Sequence, residues 1–210
     1  MLLLAFDTAT PAITVAVHDG TRVVGEAHAE GATAHGEQLA PAIQAALAQS
    51  GAAPADLTDV AVGVGPGPFT GLRVGVVTAL TLASTLDLTA HGVCSLDPLA
   101  LAAAPDLDEP FLVATDARRR EVYWARYDAA GRRQDGPEVA APATLAERFP
   151  GVPIVGRGAE LHADHLGGSR GPLDPTAAAL AEAVVAGTAE RLPLEPLYLR
   201  RPDAVPLDQR

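Results

Sequence analysis

The sequence contains no lysine. All fifteen residues in its total of lysine and arginine are arginine. This absence excludes Schiff-base chemistry on lysine, the lysine of a P-loop and Ser–Lys nucleophile pairs. A single cysteine, Cys94, excludes a disulfide framework and a cysteine-cluster metal centre. Neither a Gly-x-Ser-x-Gly turn nor a His-Glu-x-x-His segment occurs, which argues against a serine hydrolase and a zinc protease.

Targeting signals and long hydrophobic runs are also missing. The first ten residues, MLLLAFDTAT, have no basic region and too short an apolar stretch for a secretory signal. The most apolar segment, 72–82, is shorter than a membrane span and includes Arg73, so we expect no transmembrane helix and a cytoplasmic protein. The formal net charge is −11, and a negatively charged protein binds the phosphate backbone of a nucleic acid poorly. If this protein acts on nucleic acid, we expect a partner protein to do most of the binding.

The most informative stretch is 59–82, which predicts a strand, a rigid turn and a helix. Small residues alternate with Val60, Val62 and Val64, the composition of a buried strand. The run Gly-Pro-Gly-Pro at 65–68 ends that strand, and Thr70 is a suitable N-cap for a helix over 72–82. Apolar residues cover nearly the whole circumference of this helix. We therefore expect a second cover besides its own sheet, either another lobe or another protein.

Along the rest of the chain, strands alternate with helices in the manner of a mixed α/β protein. The pattern predicts further strands at 2–6, 13–17, 22–29, 88–93, 111–115, 121–127 and 152–155. It predicts helices at 37–49, 96–104, 144–149, 158–166 and 175–187, with polar loops at 31–36 and 131–136. An acidic segment bounded by prolines at 105–110 predicts two domains, 1–104 and 105–210.

Two turns have the composition of anion-binding loops. The strand–Asp–turn–strand opening resembles that of the actin-like, sugar-kinase-like ATPases, whose Asp-x-Gly-Thr turn approaches ATP phosphates. Here the turn reads Asp7-Thr8-Ala9-Thr10, and Ala9 replaces the glycine that permits close approach. The turn at 65–70 precedes a helix, but its prolines remove backbone donors. A structural turn is the favoured interpretation of both.

Three further groups of polar residues have a functional and a structural interpretation. His35 and Glu37 fit a metal or acid–base pair, or merely the polar entrance of a helix, which is favoured. His162 and His165 have the spacing of metal ligands on one helical face, yet surface histidines are commoner. The arginines at 118–120 suit RNA phosphate or an acidic partner, or form a solvated hairpin tip.

Five segments together carry a resemblance that covers nearly the whole chain. They are LLLAFDTATPAITVAV at 2–17, HGEQL at 35–39, GPGPFTGLRVG at 65–75, TDARRREVYWARY at 115–127 and PLYLR at 196–200. In this order they resemble the TsaB (YeaZ) family. Pro68 stands where that family usually has serine, which stiffens the turn and is not expected to change function.

The resemblance implies a two-lobed actin-like (ASKHA, ribonuclease H-like) α/β fold with mixed sheets and a reduced second lobe. It implies an inactive paralogue of TsaD: a non-catalytic subunit required to make N6-threonylcarbamoyladenosine next to the anticodon in tRNAs that read codons beginning with A. It further implies a heterodimer with TsaD, which it activates, an ATPase partner TsaE, indirect tRNA contact, and a homodimer when alone. No catalytic residue, metal or cofactor of its own is expected, with ATP or ADP and Mg only in the complex.

Two sets of residues follow from this interpretation. The predicted partner interface, on two helices, comprises Leu39, Ile43, Leu47, Leu72, Arg73, Val76 and Leu80. The predicted vestigial phosphate turn comprises Asp7, Thr8, Thr10, Gly65, Gly67 and Thr70. The alternatives are an ATP-binding phosphotransferase of the actin-like class and a metallopeptidase-like protein. Ala9 counts against the first, as does the lack of a clear Gly-Gly adenosine motif, for which Gly156-Arg157-Gly158 and Gly167-Gly168 are the only candidates.

Overall fold

Two mixed β-sheets with helices packed on them make up the computed structural model, which describes residues 1–30 and 35–200. The predicted loop at 31–36 and the end of the predicted tail lie partly outside those residues. The strands are β1 (Leu3–Asp7), β2 (Ala12–His18), β3 (Val23–Glu30), β4 (Asp59–Gly65), β5 (Thr89–Cys94), β6 (Phe111–Asp116), β7 (Val122–Tyr127), β8 (Arg133–Ala140) and β9 (Ile154–Val155). The helices are α1 (His35–Ser50), α2 (Phe69–Leu86), α3 (Leu96–Ala103), α4 (Pro142–Arg148), α5 (Arg157–Leu161), α6 (Ala163–Leu166) and α7 (Ala177–Ala186).

The first sheet has the strand order β3-β2-β1-β4-β5. Strands β1, β2 and β3 form an antiparallel meander, whereas β4 and β5 run parallel to β1. Side chains alternate between the two faces, so that Leu4 and Phe6 pack under α1 and α2 while Leu3 and Ala5 pack under α7. Because parallel strands end at one edge, Asp7, Gly65 and Cys94 lie at the same edge of this sheet.

The second sheet is smaller, with the order β8-β7-β6-β9. Helix α3 covers one face through Leu99 against Phe111 and Tyr127, and α4 to α6 cover the other around Trp124. Strand β8 was not predicted, because its sequence RQDGPEVA is polar and contains Gly and Pro. It forms the sheet edge, where proline and polar residues are tolerated. The predicted helix over 158–166 is instead two short helices that meet at His162.

The packing divides the chain differently from the predicted boundary at 104/105. Helix α3 precedes that boundary but packs on the second sheet, and α7 follows it but packs on the first. A buried polar network holds α3 in place, since the Tyr127 hydroxyl donates to Asp97 at 2.8 Å and Arg133 Nε donates to the same carboxylate at 3.0 Å. The chain therefore passes from the first lobe to the second between β5 and α3 and returns to the first lobe between α6 and α7.

Helix α2 begins at Phe69 rather than after the predicted cap Thr70, and it continues four residues past the predicted end at Leu82. Among the residues that the structure describes, it is the one helix long and apolar enough to cross a membrane by length and composition. The sequence-based expectation of no transmembrane helix rested on the shorter apolar run 72–82, and the observed helix is longer than that run. One side of the helix, with Leu72, Val76 and Ala79, is buried in the first lobe.

Candidate functional site

The candidate site is the turn between β1 and β2, residues 7–10, at the edge where the parallel strands end. Its polar side chains are buried: Asp7 is 1% exposed, Thr8 0% and Thr10 7%. The Ala9 amide donates to Asp7 Oδ1 at 2.7 Å, which closes the turn on itself. An aspartate at this position would have to reach solvent to place a metal ion, and Asp7 is enclosed instead.

The start of α2 fills the space above this turn. A Cβ atom at Gly67 would lie 2.3 Å from the Ala9 carbonyl oxygen, and one at Gly71 would lie 2.3 Å from the Thr8 carbonyl oxygen. One helical turn later, a Cβ at Gly75 would lie 2.4 Å from Thr8 Oγ1. The Thr8 hydroxyl donates to the Gly71 carbonyl at 2.8 Å. Three glycines, one just before α2 and two within it, thus let the backbone pack directly on the turn and leave no free volume beside Thr8.

The third side of the turn is closed by the start of α1. The buried His35 ring donates from Nε2 to the Thr10 carbonyl oxygen at 2.8 Å. Glu37 is exposed in the first turn of the same helix. His35 and Glu37 therefore do not form the acid–base pair that the sequence allowed. His35 is a residue at the start of the helix whose hydrogen bond holds the turn in place.

The electrostatic environment of Asp7 disfavours its charged form. Burial raises the pKa of this carboxyl group from 3.8 to about 6, while the Ser95 hydroxyl and the Ala9 amide oppose the rise. The carboxylate packs directly on Gly63, where a Cβ would lie 1.7 Å from Oδ2.

The residues of the predicted vestigial phosphate turn are brought together with one exception. Asp7, Thr8, Thr10, Gly65 and Gly67 are buried at one edge of the first sheet, whereas Thr70 is exposed on α2. Gly65 has a φ of 109° and touches Leu72 and Leu197, so its conformation and its small size are both needed. The cluster is a packing unit in this structure, with Thr70 outside it.

Most of the predicted interface residues are buried in the first lobe's own core. Exposed fractions are 2% for Leu39, 9% for Ile43, 6% for Leu47, 0% for Leu72 and 2% for Val76. Their side chains are unavailable to a partner, and only Arg73 and Leu80 of the predicted set are exposed. The register of α2 on the sheet explains the correction, because β4 covers Val76 and leaves its neighbour Val77 58% exposed.

The exposed surface of α1 and α2, which we call the outer face, is almost uncharged. Among the 34 residues of the two helices, Glu37 and Arg73 are the only acidic or basic ones. A chain that is 20% charged would place about seven there. On α2 this face presents Val77 and Leu80, the latter 48% exposed, and on α1 it presents mainly alanine and glutamine. Adjacent helices with so few charges are typical of an interface with another protein.

The C-terminal segment connects the two lobes and was not identified as a functional element from the sequence. Tyr198 stacks on Phe69 with ring centroids 4.6 Å apart, and its hydroxyl accepts from Arg73 Nε at 3.1 Å. Two residues later, Arg200 donates to the Ala117 carbonyl at 2.8 Å and pairs with Glu121 in the second lobe. The segment PLYLR at 196–200 therefore contacts both the start of α2 and the β6–β7 hairpin.

Between the lobes lies a narrow cleft. Its walls are Thr10, Pro11 and Pro68 from the first lobe and Thr115, Asp116, Arg118, Arg157 and Asp174 from the second. Arg157 pairs with Asp174, and Arg118 pairs with Asp116 at 3.2 Å. In residues 1–30 and 35–200, no group of three or more His, Cys, Asp or Glu side chains is arranged to hold a metal ion. His162 joins α5 and α6, so it does not share one helical face with His165.

Comparison with known proteins agrees with this geometry. Residues 26–164 match the family model described as TsaD, tRNA N6-adenosine threonylcarbamoyltransferase. A protein of Escherichia coli named tRNA threonylcarbamoyladenosine biosynthesis protein TsaB is 41% identical over 60% of this chain and 55% of its own length. The solved structure of YeaZ from Pseudomonas aeruginosa has a TM-score of 0.76 at 28% identity, over 94% of this chain and 99% of that one. The chain belongs to the TsaB (YeaZ) family.

The YeaZ structures share the architecture of this chain and confirm the predicted fold class, an α/β protein with two mixed sheets. An uncharacterized protein of Mycobacterium bovis is 46% identical over 98% of this chain and 94% of its own length. The match with the Escherichia coli TsaB covers little more than half of either protein.

The glycine contacts predict opposite effects of two glycine-to-alanine substitutions in helices. Gly71→Ala places a methyl group against the Thr8 carbonyl and is expected to destabilise the protein by about 1–3 kcal/mol. Gly36→Ala in α1 is the matched control, because its Cβ would meet only Val74 at 4.0 Å. It is expected to stabilise by about 0.5–1 kcal/mol. Urea denaturation followed by circular dichroism measures both, and unchanged or higher stability in both variants would contradict the close packing.

The raised pKa of Asp7 predicts a pH-dependent stability of definite sign. Because the folded state binds the proton more tightly than the unfolded state, wild-type stability should fall as pH rises from about 4 to about 6. Asp7→Asn should remove this fall and be up to about 3 kcal/mol more stable than wild type above pH 6, with little difference near pH 4. Denaturant unfolding at a series of pH values measures the difference.

Asp19→Asn serves as the control of opposite sign. Backbone amides of Arg22 and Thr21 lower the pKa of this exposed carboxyl group. Its contribution to stability is present at neutral pH and disappears as acid protonates it, so Asp19→Asn should lower stability at neutral pH only. If Asp7→Asn has the same free energy of unfolding as wild type at every pH, the raised pKa of the buried Asp7 is contradicted.

Proposed function

We propose that this chain is a non-catalytic partner subunit in the synthesis of N6-threonylcarbamoyladenosine next to the anticodon of tRNAs that read codons beginning with A. It pairs with TsaD and activates it, and the ATPase TsaE joins the assembly. The names of its curated relatives, tRNA threonylcarbamoyladenosine biosynthesis protein TsaB, support the pathway. The observation that carries the role of a partner is the nearly uncharged outer face of α1 and α2.

The enclosed β1–β2 turn supports the non-catalytic part of the proposal. In an actin-like ATPase this turn needs free space for phosphate. Here Gly67 is in close contact with Ala9 and Gly71 is in close contact with Thr8, so that space is filled. Rebuilding a nucleotide site would require α2 to move away from Thr8, which would expose the buried Leu72. ATP, ADP and magnesium are accordingly assigned to the assembled complex.

The outer face supports pairing through apolar contact. Burial of the parts of Val77 and Leu80 that are still exposed, about half of each residue, contributes about 1–1.5 kcal/mol each before the costs of association are subtracted. A second copy of the chain offers the same surface, so a homodimer is the expected state when TsaD is absent. Exposed Arg73, held against the Phe69 ring and Tyr198, supplies a preorganised charge at the margin of this face.

Replacement of Leu80 by aspartate should abolish pairing with TsaD while the protein stays folded. The side chain is 48% exposed, so the charge remains solvated in the free chain but is buried unpaired in the complex. Val76 is unsuitable for this test, because aspartate there would enter the core. Co-purification with TsaD and an assay for modified tRNA measure the effect.

Leu161→Asp is the matched control, since this leucine also lies on a helix, is 57% exposed and belongs to the second lobe. It should pair and support modification like wild type. Normal pairing of Leu80→Asp, or equal loss in both variants, would contradict the assignment of the outer face as the interface.

The isolated chain should show no stoichiometric binding of magnesium-ATP in a calorimetric titration. The physical reason is the filled turn, which leaves no volume for the phosphates beside Thr8. Saturable one-site binding that Asp7→Asn abolishes would contradict the proposal and favour the alternative of an actin-like phosphotransferase.

A further inference from the structure

The tip of the β6–β7 hairpin has three consecutive arginines in an uncommon conformation. Arg118, Arg119 and Arg120, which we call the arginine tip, have φ angles of 60°, 55° and 61°. All three are exposed. Residues other than glycine rarely adopt this left-handed region, and three in succession need support from their surroundings.

Neighbouring residues supply that support from both lobes. The Asp116 carboxylate accepts from the Arg118 amide at 2.7 Å, and the Glu121 amide donates to the Arg118 carbonyl at 3.0 Å. From the C-terminal segment, Arg200 donates to the Ala117 carbonyl and pairs with Glu121. The backbone of the tip is thus held in place, partly by the same segment that contacts the start of α2, and the Arg118 guanidinium also pairs with Asp116 at 3.2 Å.

The charge of the tip contrasts with the rest of the chain. Arg118, Arg119 and Arg120 are the only run of three basic residues in a sequence of net charge −11. Guanidinium groups match phosphate oxygens in bidentate geometry and are the preferred side chains for contacts with nucleic acid backbones.

We propose that the arginine tip binds the phosphate backbone of RNA directly. The proposal rests on the proposed function, which makes tRNA the macromolecule that the assembly handles, and it replaces the expectation of purely indirect tRNA contact. On an acidic chain we expect RNA to contact a small cationic surface, because the carboxylates around it repel phosphate and oppose a larger interface.

Fluorescence anisotropy of labelled tRNA with the full chain over a range of salt concentrations tests the proposal. Wild type should bind at low salt with an affinity that falls as salt rises. Arg119→Glu/Arg120→Glu should weaken binding and reduce the slope of log affinity against log salt by about 0.7–0.9 for each phosphate that the variant no longer neutralises. Arg119→Gln/Arg120→Gln should also weaken binding, but by less. If the charge-reversed variant does not fold, this neutral variant is used in its place.

Arg22→Glu/Arg132→Glu is the control with the same change in net charge. Arg22 lies in the β2–β3 turn and Arg132 in the β7–β8 turn, each at the end of its sheet away from the arginine tip, and both are exposed. This variant should keep most of the affinity. No binding by wild type, or an equal reduction of affinity in tip and control variants, would overturn the proposal.

An acidic protein surface is the other macromolecule that such a tip fits. Unchanged tRNA binding by the tip variants, combined with failure to co-purify with TsaD, would overturn the RNA proposal in favour of that surface. The proposed function fails by a different result, normal tRNA modification in cells that lack the chain. The two failures are therefore distinguishable.

Discussion

The structure depends on one close contact, the packing of the start of α2 on the β1–β2 turn. Gly67, just before α2, and Gly71 and Gly75 within it bring the backbone against Ala9 and Thr8 at distances that no side chain permits. The contact has two consequences. It leaves no free volume beside Thr8, and it fixes the rotation of α2 so that one apolar face packs on the sheet and another faces outward.

Both lobes are tied to this contact by segments that cross between them. Helix α7 returns to the first sheet, and the C-terminal segment places Tyr198 on Phe69 and Arg200 on the second-lobe hairpin. The buried Asp97 carboxylate joins α3 to the second sheet through Tyr127 and Arg133. A partner that binds the outer face thus touches a helix whose first turn is coupled to the geometry of the opposite lobe.

The sequence predicts the regular elements well and their solvent exposure less well. Alternating valines located β4, and the Gly-Pro run located the turn, because both depend on local chemistry. Which face of α2 is buried depends on the sheet beneath it, so Val76 was assigned to the interface and Val77 was not. Strand β8 is polar because it lies at an edge, and only its pairing with β7 reveals it. The Tyr198–Phe69–Arg73 cluster joins residues more than a hundred positions apart, which no local pattern indicates.

We propose that α2 keeps its start packed on the β1–β2 turn and offers its outer face to another chain. Sedimentation equilibrium of the full chain, alone and mixed with TsaD, tests this claim most directly. The account predicts the mass of a dimer that forms reversibly for the chain alone, replaced by the mass of a one-to-one complex in the mixture. A single-chain mass for this protein at every concentration, with and without TsaD, would contradict it.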